Sequence, residues 1–338
     1  MAKAQPLLEI KDLKIEFETD ERTVKAVNGV NLKVMRGQSV GIVGESGCGK
    51  TVTSYSTLGI LPRNAKIRSG EILFHKQNGE VVDIAALDRS SREMQAIRGS
   101  EIAMIFQEPM TTFSPVHTIG NQMIEAIRLH QDVSKEEARA RAIELLREVG
   151  INNPEQRIDE YSFQFSGGMR QRAMIALALA CNPSLVLADE PTSALDVTIQ
   201  AQVLQLLKRM QKEKGLAMIM ITHDLGVVAH TVEYIYVMYL GRVIEEGSVV
   251  DIFDNPKHPY TQGLLKSIPR LSGTKGRLTS IEGTVPDYLP VGCPFQTRCD
   301  QVVGDICMQK MPEPLQVGPN QIVSCHRYTE RSHSDDIA

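Results

Sequence analysis

No stretch of this sequence is apolar for long enough to cross a bilayer. The longest, Ala173 to Cys181, falls far short of the ~20 residues a spanning helix needs, so any membrane role runs through partners. Neither sign of charge dominates. Against 41 Asp+Glu stand 37 Lys+Arg, a net charge of −4, which argues against a nucleic-acid partner, since such binders rest on phosphate neutralisation. The opening residues, MAKAQPLLEIKDL, hold no apolar core before a cleavage site and predict no secretory leader. Internal repeats and low-complexity segments are missing. Cysteine is sparse, six in 338 residues, and four of the six (Cys293, Cys299, Cys307 and Cys325) sit together late in the chain. That pattern reads as a local site, not a disulfide framework. What is present is an ordinary globular composition, 42% hydrophobic and 23% charged, on a chain long enough for two or three compact units.

Periodicity supplies the organisation. Leu8, Ile10, Leu13, Ile15 and Phe17, then Val30, Leu32 and Val34, alternate as strands, and Ser39–Val43 reads as a buried strand before a glycine-rich turn and a helix from Lys50. Residues 109 to 150 read as helical, with Ser134 and Glu137 as a capping box and Gly150 as the stop. A buried strand follows at Ser184–Ala188, then a helix from Val197 to Lys214 stopped by Gly215. Next come a strand at Ala217–Thr222, with Met218 and Met220 as core, and a hairpin about Gly241. The charged run Asp88–Arg98 reads as a solvated loop or helix. Strand–helix alternation implies an α/β core. Beyond Asn255, Pro, Gly and Cys rise and periodicity fades, which places a domain boundary near Pro256.

The chemistry concentrates in two motifs. Gly44, Glu45, Ser46, Gly47, Cys48, Gly49, Lys50 and Thr51 match GxxxxGK[ST] between a strand and a helix. Backbone N–H groups of such a loop close around phosphate oxygens. Lys50 would reach the β- and γ-phosphates, and the Thr51 hydroxyl would ligate Mg²⁺. Cys48 reads as a small permissive residue rather than a catalytic thiol. The second motif is the apolar strand ending in Asp189 and Glu190. There Asp189 would hold Mg²⁺ and Glu190 would face the attacking water. Together these define a P-loop NTPase.

Phe165-Ser-Gly-Gly-Met-Arg-Gln171 narrows the class. It resembles the signature loop of ABC ATPases, normally LSGGQ, in the variant found in oligopeptide and dipeptide importers; Phe165 and Met169 depart from the common pattern, while Ser166, Gly167 and Gly168 keep it. The other family loops follow in order. Gln107 is similar to the Q-loop residue, which also ligates Mg²⁺. Asp196 in Ser193-Ala-Leu-Asp196 is similar to the D-loop and His223 to the switch histidine. Phe17 is similar to the aromatic that stacks on adenine. The resemblance covers roughly residues 7 to 325. It implies a RecA-like α/β core with an antiparallel β subdomain and a helical subdomain at about 109–165, together spanning 1–255, then a Cys-rich extension at 256–338. It also implies ATP hydrolysis, with Glu190, His223 and Gln107 as catalytic residues, by a head-to-tail dimer in which Ser166 and Gly168 complete the partner's site.

One set of motifs and no spanning helix imply a second ATPase subunit, usually a different protein in this family and so a heterodimer. They also imply two membrane permeases and, indirectly, an extracytoplasmic binding protein, with this chain on the cytoplasmic face of the inner membrane. His258-Pro-Tyr-Thr-Gln-Gly-Leu-Leu265 and Cys293-Pro-Phe-Gln-Thr-Arg-Cys299 resemble the extension of oligopeptide/dipeptide ATPases. The resemblance implies an importer of peptides, with the same ATPase role for an oligosaccharide or nickel importer as the alternative and a soluble non-transport ABC ATPase as the more distant one. Two of its forms fit poorly: Gly44 and Ser166 are too close for the long coiled coil of repair members, and translation factors usually carry two cassettes. Four cysteines suit zinc or a 4Fe–4S cluster, although the C-x2-4-C knuckles common in zinc sites are lacking; unligated thiols are the third reading. The similar tail in peptide-importer ATPases implies the cluster, in a structural role.

Overall fold

The structure is a computed structural model and describes residues 5–108, 112–193, 195–268, 281–286 and 288–329. In chain order its strands are β1 Pro6–Glu18, β2 Thr23–Met35, β3 Ser39–Val43, β4 Ala65–His75, β5 Val81–Asp83, β6 Ile102–Ile105, β7 Leu185–Asp189, β8 Ala217–Thr222, β9 Tyr234–Tyr239, β10 Arg242–Ser248, β11 Leu315–Gly318 and β12 Gln321–Val323. They form two sheets, one ordered β11-β12-β10-β9-β3-β8-β7-β6 and a smaller one ordered β2-β1-β4-β5. The strands from β9 to β6 pair in parallel, and β10, β12 and β11 continue the edge antiparallel. The small sheet is antiparallel throughout. This is the expected α/β P-loop architecture with its antiparallel β subdomain.

Every residue of β3, β7 and β8 is buried, as parallel strands covered on both faces must be. Side chains alternate between the two faces. Val43, Val186, Ala188, Met218 and Met220 join the core under the helices, while Ile42, Leu185, Leu187, Ile219 and Ile221 join the core shared with the small sheet. The register aligns the strand ends: Val43 lies beside Thr222, Asp189 beside Ile221, and Ile105 beside Ala188. All four chains therefore leave the sheet along one edge, where α/β proteins place their ligands.

The helical part is interrupted where the sequence suggests a continuous run. Helices occupy Ile119–His130 and Lys135–Glu148, and residues 113–118 are not helical; residues 109–111 lie outside the described set. Thr118 sets the first boundary, its hydroxyl accepting the Asn121 N–H. The Ser134–Glu137 capping box forms in both directions, at 3.1 and 2.8 Å. The charged run Asp88–Arg98 is not simply solvated. A helix at Arg92–Ile97 buries Met94 and Ile97, and Arg89 and Arg98 turn back to donate to the carbonyls of Leu61, Ala65 and Leu58.

Beyond Pro256 the chain returns to the same body. β12 pairs with β10 through Glu245 beside Val323, and Tyr260, Cys293 and Phe295 belong to the core under the helices. The buried Glu245 carboxylate accepts the N–H groups of Lys257 (2.7 Å) and His258 (2.9 Å) and the Gln321 amide (2.9 Å). His258 caps the helix Pro259–Lys266 by accepting the Tyr260 N–H at 3.1 Å, and burial depresses its imidazole to about 3, so it is neutral.

Candidate functional site

The phosphate-loop residues leave β3 and turn into the helix Lys50–Thr57. Two glycines are obligatory here. A Cβ on Gly44 would stand 2.2 Å from the Met238 carbonyl oxygen, and one on Gly49, at φ 100°, would stand 2.5 Å from that of Ala26. Lys50 is buried, its ammonium donating to the carbonyls of Gly44 (2.7 Å) and Glu45 (2.9 Å). Cys48 is buried 3.7 Å from that ammonium, and burial raises its thiol pKa, in keeping with a packing residue.

Thr51 Oγ1 donates to Asp189 Oδ1 at 3.1 Å across the β3–β7 gap. Burial is the first cause of an Asp189 pKa raised to about 6, with the Glu190 charge adding to it and Thr51 and Lys50 opposing. These two oxygen donors are of the kind Mg²⁺ takes. The next residue, Glu190, sits at φ 42°, a left-handed conformation that costs a side-chain-bearing residue ~1–3 kcal/mol and turns the carboxylate away from the strand. Each of its oxygens has a partner. His223 Nδ1 lies 2.8 Å from Oε1, and the Gln107 amide donates to Oε2 at 3.1 Å. His223 remains 62% exposed.

Gly44, Glu45, Ser46, Gly47, Gly49, Lys50, Thr51, Gln107, Glu190 and His223 thus line one cleft of about 660 Å³. Several of the sequence-predicted residues stand elsewhere. Ser166 is an exposed helix cap, accepting the Met169 N–H at 3.3 Å, and neither it nor Gly167 or Gly168 lines the cleft. Asp196 caps the helix Val197–Lys214 through the N–H groups of Thr198 and Ile199, while Ala194 of the same loop lies outside the described residues. Phe17 pairs with Val24 and Ala65, packs on the core shared with the small sheet, and is not among the residues lining the cleft.

The four late cysteines do come together, with the Cys293 N–H donating to the Cys307 carbonyl at 2.8 Å. All four are unbridged, and burial pushes Cys293 to about 12 and raises Cys299 and Cys325. Among the described residues no three His, Cys, Asp or Glu side chains are grouped to share an ion.

Sequence reasoning missed what the extension brings to the cleft. Leu264, Ser267 and Ile281 line it, Tyr260 Oη accepts the Glu45 N–H at 2.8 Å, and Arg298 grips the Glu45 carboxylate at 2.7 and 3.0 Å. Both residues lie inside the two extension motifs, so the segments were visible although their target was not.

A profile described as ABC transporter matches residues 27–193, and one described as the C-terminal region of oligopeptide/dipeptide transporters matches residues 244–307. The chain is 48% identical to a probable peptide ABC transporter ATP-binding protein of Sinorhizobium fredii, covering 97% of each. It is 45% identical to the dipeptide transport ATP-binding protein DppD of Bacillus subtilis, covering 97% of this chain and 96% of that one. Among solved structures it resembles the ATP-binding cassette MJ0796, dimeric and bound to ADP and Pi in a post-hydrolysis state. That match has TM-score 0.62 and 30% identity, over 72% of this chain and 98% of the other. With the phosphate loop, the Asp189–Glu190 pair and the extension all in place, the chain belongs to the ABC-transporter ATP-binding subunits of the oligopeptide/dipeptide type, an ATPase family.

Proposed function

We propose that this chain hydrolyses ATP to drive import of peptides through separate membrane subunits. The observation that carries the chemistry is Glu190, whose two oxygens are held by His223 and Gln107 beside the Lys50–Thr51–Asp189 set. Phosphoryl transfer needs positioning and charge stabilisation more than covalent chemistry. The loop N–H groups and Lys50 bind the phosphates. Glu190 orients water and takes its proton, held in aim by Gln107 and His223. Thr51 and Asp189, with Gln107 near, would hold Mg²⁺, which when bound neutralises phosphate charge. Exposed Ser166 and half-buried Gly168, neither lining this cleft, serve the cleft of a second ATPase subunit, which we take to be a homologue. Phe17 and Asp196 keep only their resemblance-based roles at the nucleotide, since their contacts here are structural.

The peptide reading rests on the names and extension of the relatives; an oligosaccharide or nickel solute would use the same ATPase. We assign 1–255 to the nucleotide-binding domain, with its helical part at about 109–165, and 256–338 to the extension. Among the described residues no helix is long and apolar enough to cross a membrane, so we place the chain at the inner face of the membrane, bound to two permeases, with a binding protein outside. The stacked, exposed pair Tyr161 and Phe163 (5.4 Å between centroids) on the helical part is the surface we assign to the permeases. The four cysteines carry the finer reading of a structural 4Fe–4S cluster, with zinc and unligated thiols as alternatives. Their gathering and donor chemistry favour it, their lack of a common centre counts against it, and no step is derived through it. Anaerobic purification with iron, sulfide and zinc analysis separates the three. Purifying the chain with its permeases and testing whether a peptide-loaded binding protein stimulates ATP turnover tests the function; full activity of the isolated monomer would overturn it.

A further inference from the structure

The extension holds one residue of the nucleotide cleft, Glu45, from two directions. Its side chain receives the Arg298 guanidinium in a two-pronged pair, Nη1 to Oε2 at 2.7 Å and Nη2 to Oε1 at 3.0 Å. Its backbone N–H donates to Tyr260 Oη at 2.8 Å, while its carbonyl takes the Lys50 ammonium at 2.9 Å. The grip is rigid. Arg298 is only 4% exposed on its side chain and also donates to the Glu282 carbonyl at 3.1 Å. Its guanidinium lies 5.9 Å from the ring centres of Tyr239 and Phe295, and these two rings pack with fully buried Tyr260 at 4.7 to 5.4 Å. A fork on a carboxylate fixes orientation as well as charge.

The charge is the informative part. A carboxylate inside a loop that receives phosphates repels its ligand unless a cation answers it, and here the cation comes from between Cys293 and Cys299, 253 positions away. We propose that Arg298 is a positioning residue for the nucleotide site: it neutralises and fixes Glu45, so that the phosphate loop takes its ATP-binding shape only when the cysteine-bearing extension is docked. The proposal rests on the ATP reading of the cleft and deepens it. Tyr260 is the second arm of the same clamp.

The test uses the full chain and ATP itself, with affinity read by calorimetry because the sequence has no tryptophan. Arg298→Gln leaves Glu45 charged and unanswered and should weaken ATP binding about tenfold, the size of one like charge roughly 12 Å from the phosphate charge at an effective dielectric near 20. Glu45→Gln alone should cost less, about twofold to threefold, and adding it to Arg298→Gln should restore affinity to the Glu45→Gln level. Arg298→Lys should fall between wild type and Arg298→Gln. A merely structural arginine would give a double variant as weak as Arg298→Gln, and that result overturns the proposal, as does an Arg298→Gln variant with wild-type affinity. Hydrogen exchange separates this inference from the ATP reading. Without nucleotide, Arg298→Gln should speed exchange of the amides of residues 45–49 by about tenfold and leave β8 unchanged. Unchanged loop exchange sinks the clamp alone, whereas a wild-type chain that binds no ATP sinks the ATP reading and this proposal with it. Should Arg298→Gln not fold, Tyr260→Phe removes a single hydroxyl; a several-fold loss of ATP affinity supports the clamp, and wild-type affinity overturns it.

Discussion

The nucleotide cleft and the chain beyond residue 256 are stabilised in opposite ways. Around the cleft, the groups that matter are polar and stand just past strand ends: Gln107, Glu190 and His223, each at least partly exposed, lean on one another, and buried Lys50 leans on the phosphate loop's own carbonyls. The extension instead hangs on buried contacts, the Tyr239–Tyr260–Phe295 rings and the Glu245 node that ties Lys257, His258 and Gln321 to β10. The contrast teaches that the two regions should fail differently, one in rate and the other in stability.

The largest expected effect lies in the cleft. Glu190→Gln should keep ATP bound and cut turnover by ~10²–10⁴-fold, the usual loss of a positioned base, with thermal unfolding unchanged; a variant that turns over normally would remove Glu190 from its assigned role. In the extension, Phe295→Ala empties a site packed by Tyr239, Tyr260 and His258 and should lower stability by about 3–5 kcal/mol in urea titrations. A loss below 1 kcal/mol would mean that the rings do not anchor the segment.

A pH series sharpens the comparison further. His258 is neutral in the fold, with its pKa pushed down from 6.5 to about 3 mainly by burial and next by the Arg327 charge, while the unfolded chain protonates near 6.5. The folded pKa being the lower, its contribution is whole above 6.5 and is lost as pH falls toward 3, at most ~1.4 kcal/mol per pH unit. His258→Asn, which keeps a cap acceptor for Tyr260, should flatten the dependence of the unfolding midpoint on pH across that window; an unaltered slope would assign it to other groups. The smallest effect is remote from both regions. Ser134→Ala removes one half of a capping box and should cost about 1 kcal/mol, leaving ATP affinity as it was.

How much of this was legible depended on distance along the chain. Gly44 to Thr51, the Ser134–Glu137 box and the Gly215 stop are local patterns, and the fold realises each where the sequence puts it. Helix Arg92–Ile97 was obscured because charged neighbours swamp the two apolar residues, Met94 and Ile97, that it buries. The cap at Thr118 has the same residue type as many loop threonines, so nothing local announces the non-helical stretch 113–118 before it. Nothing in local spacing links Arg298 to Glu45. Each looks like a surface charge until the sheet edge brings the extension back across the phosphate loop.

That return path sets a timetable. Glu45 leaves the ribosome 253 residues before Arg298, an interval of about 13–50 s at ~5–20 residues per second. Late in it β10 is made, and its edge then stays unpaired until its partner β12 follows. An open strand edge is a template for other chains. The nascent protein therefore has its motifs early and its finished binding site late, and during that delay it depends on protection from its neighbours.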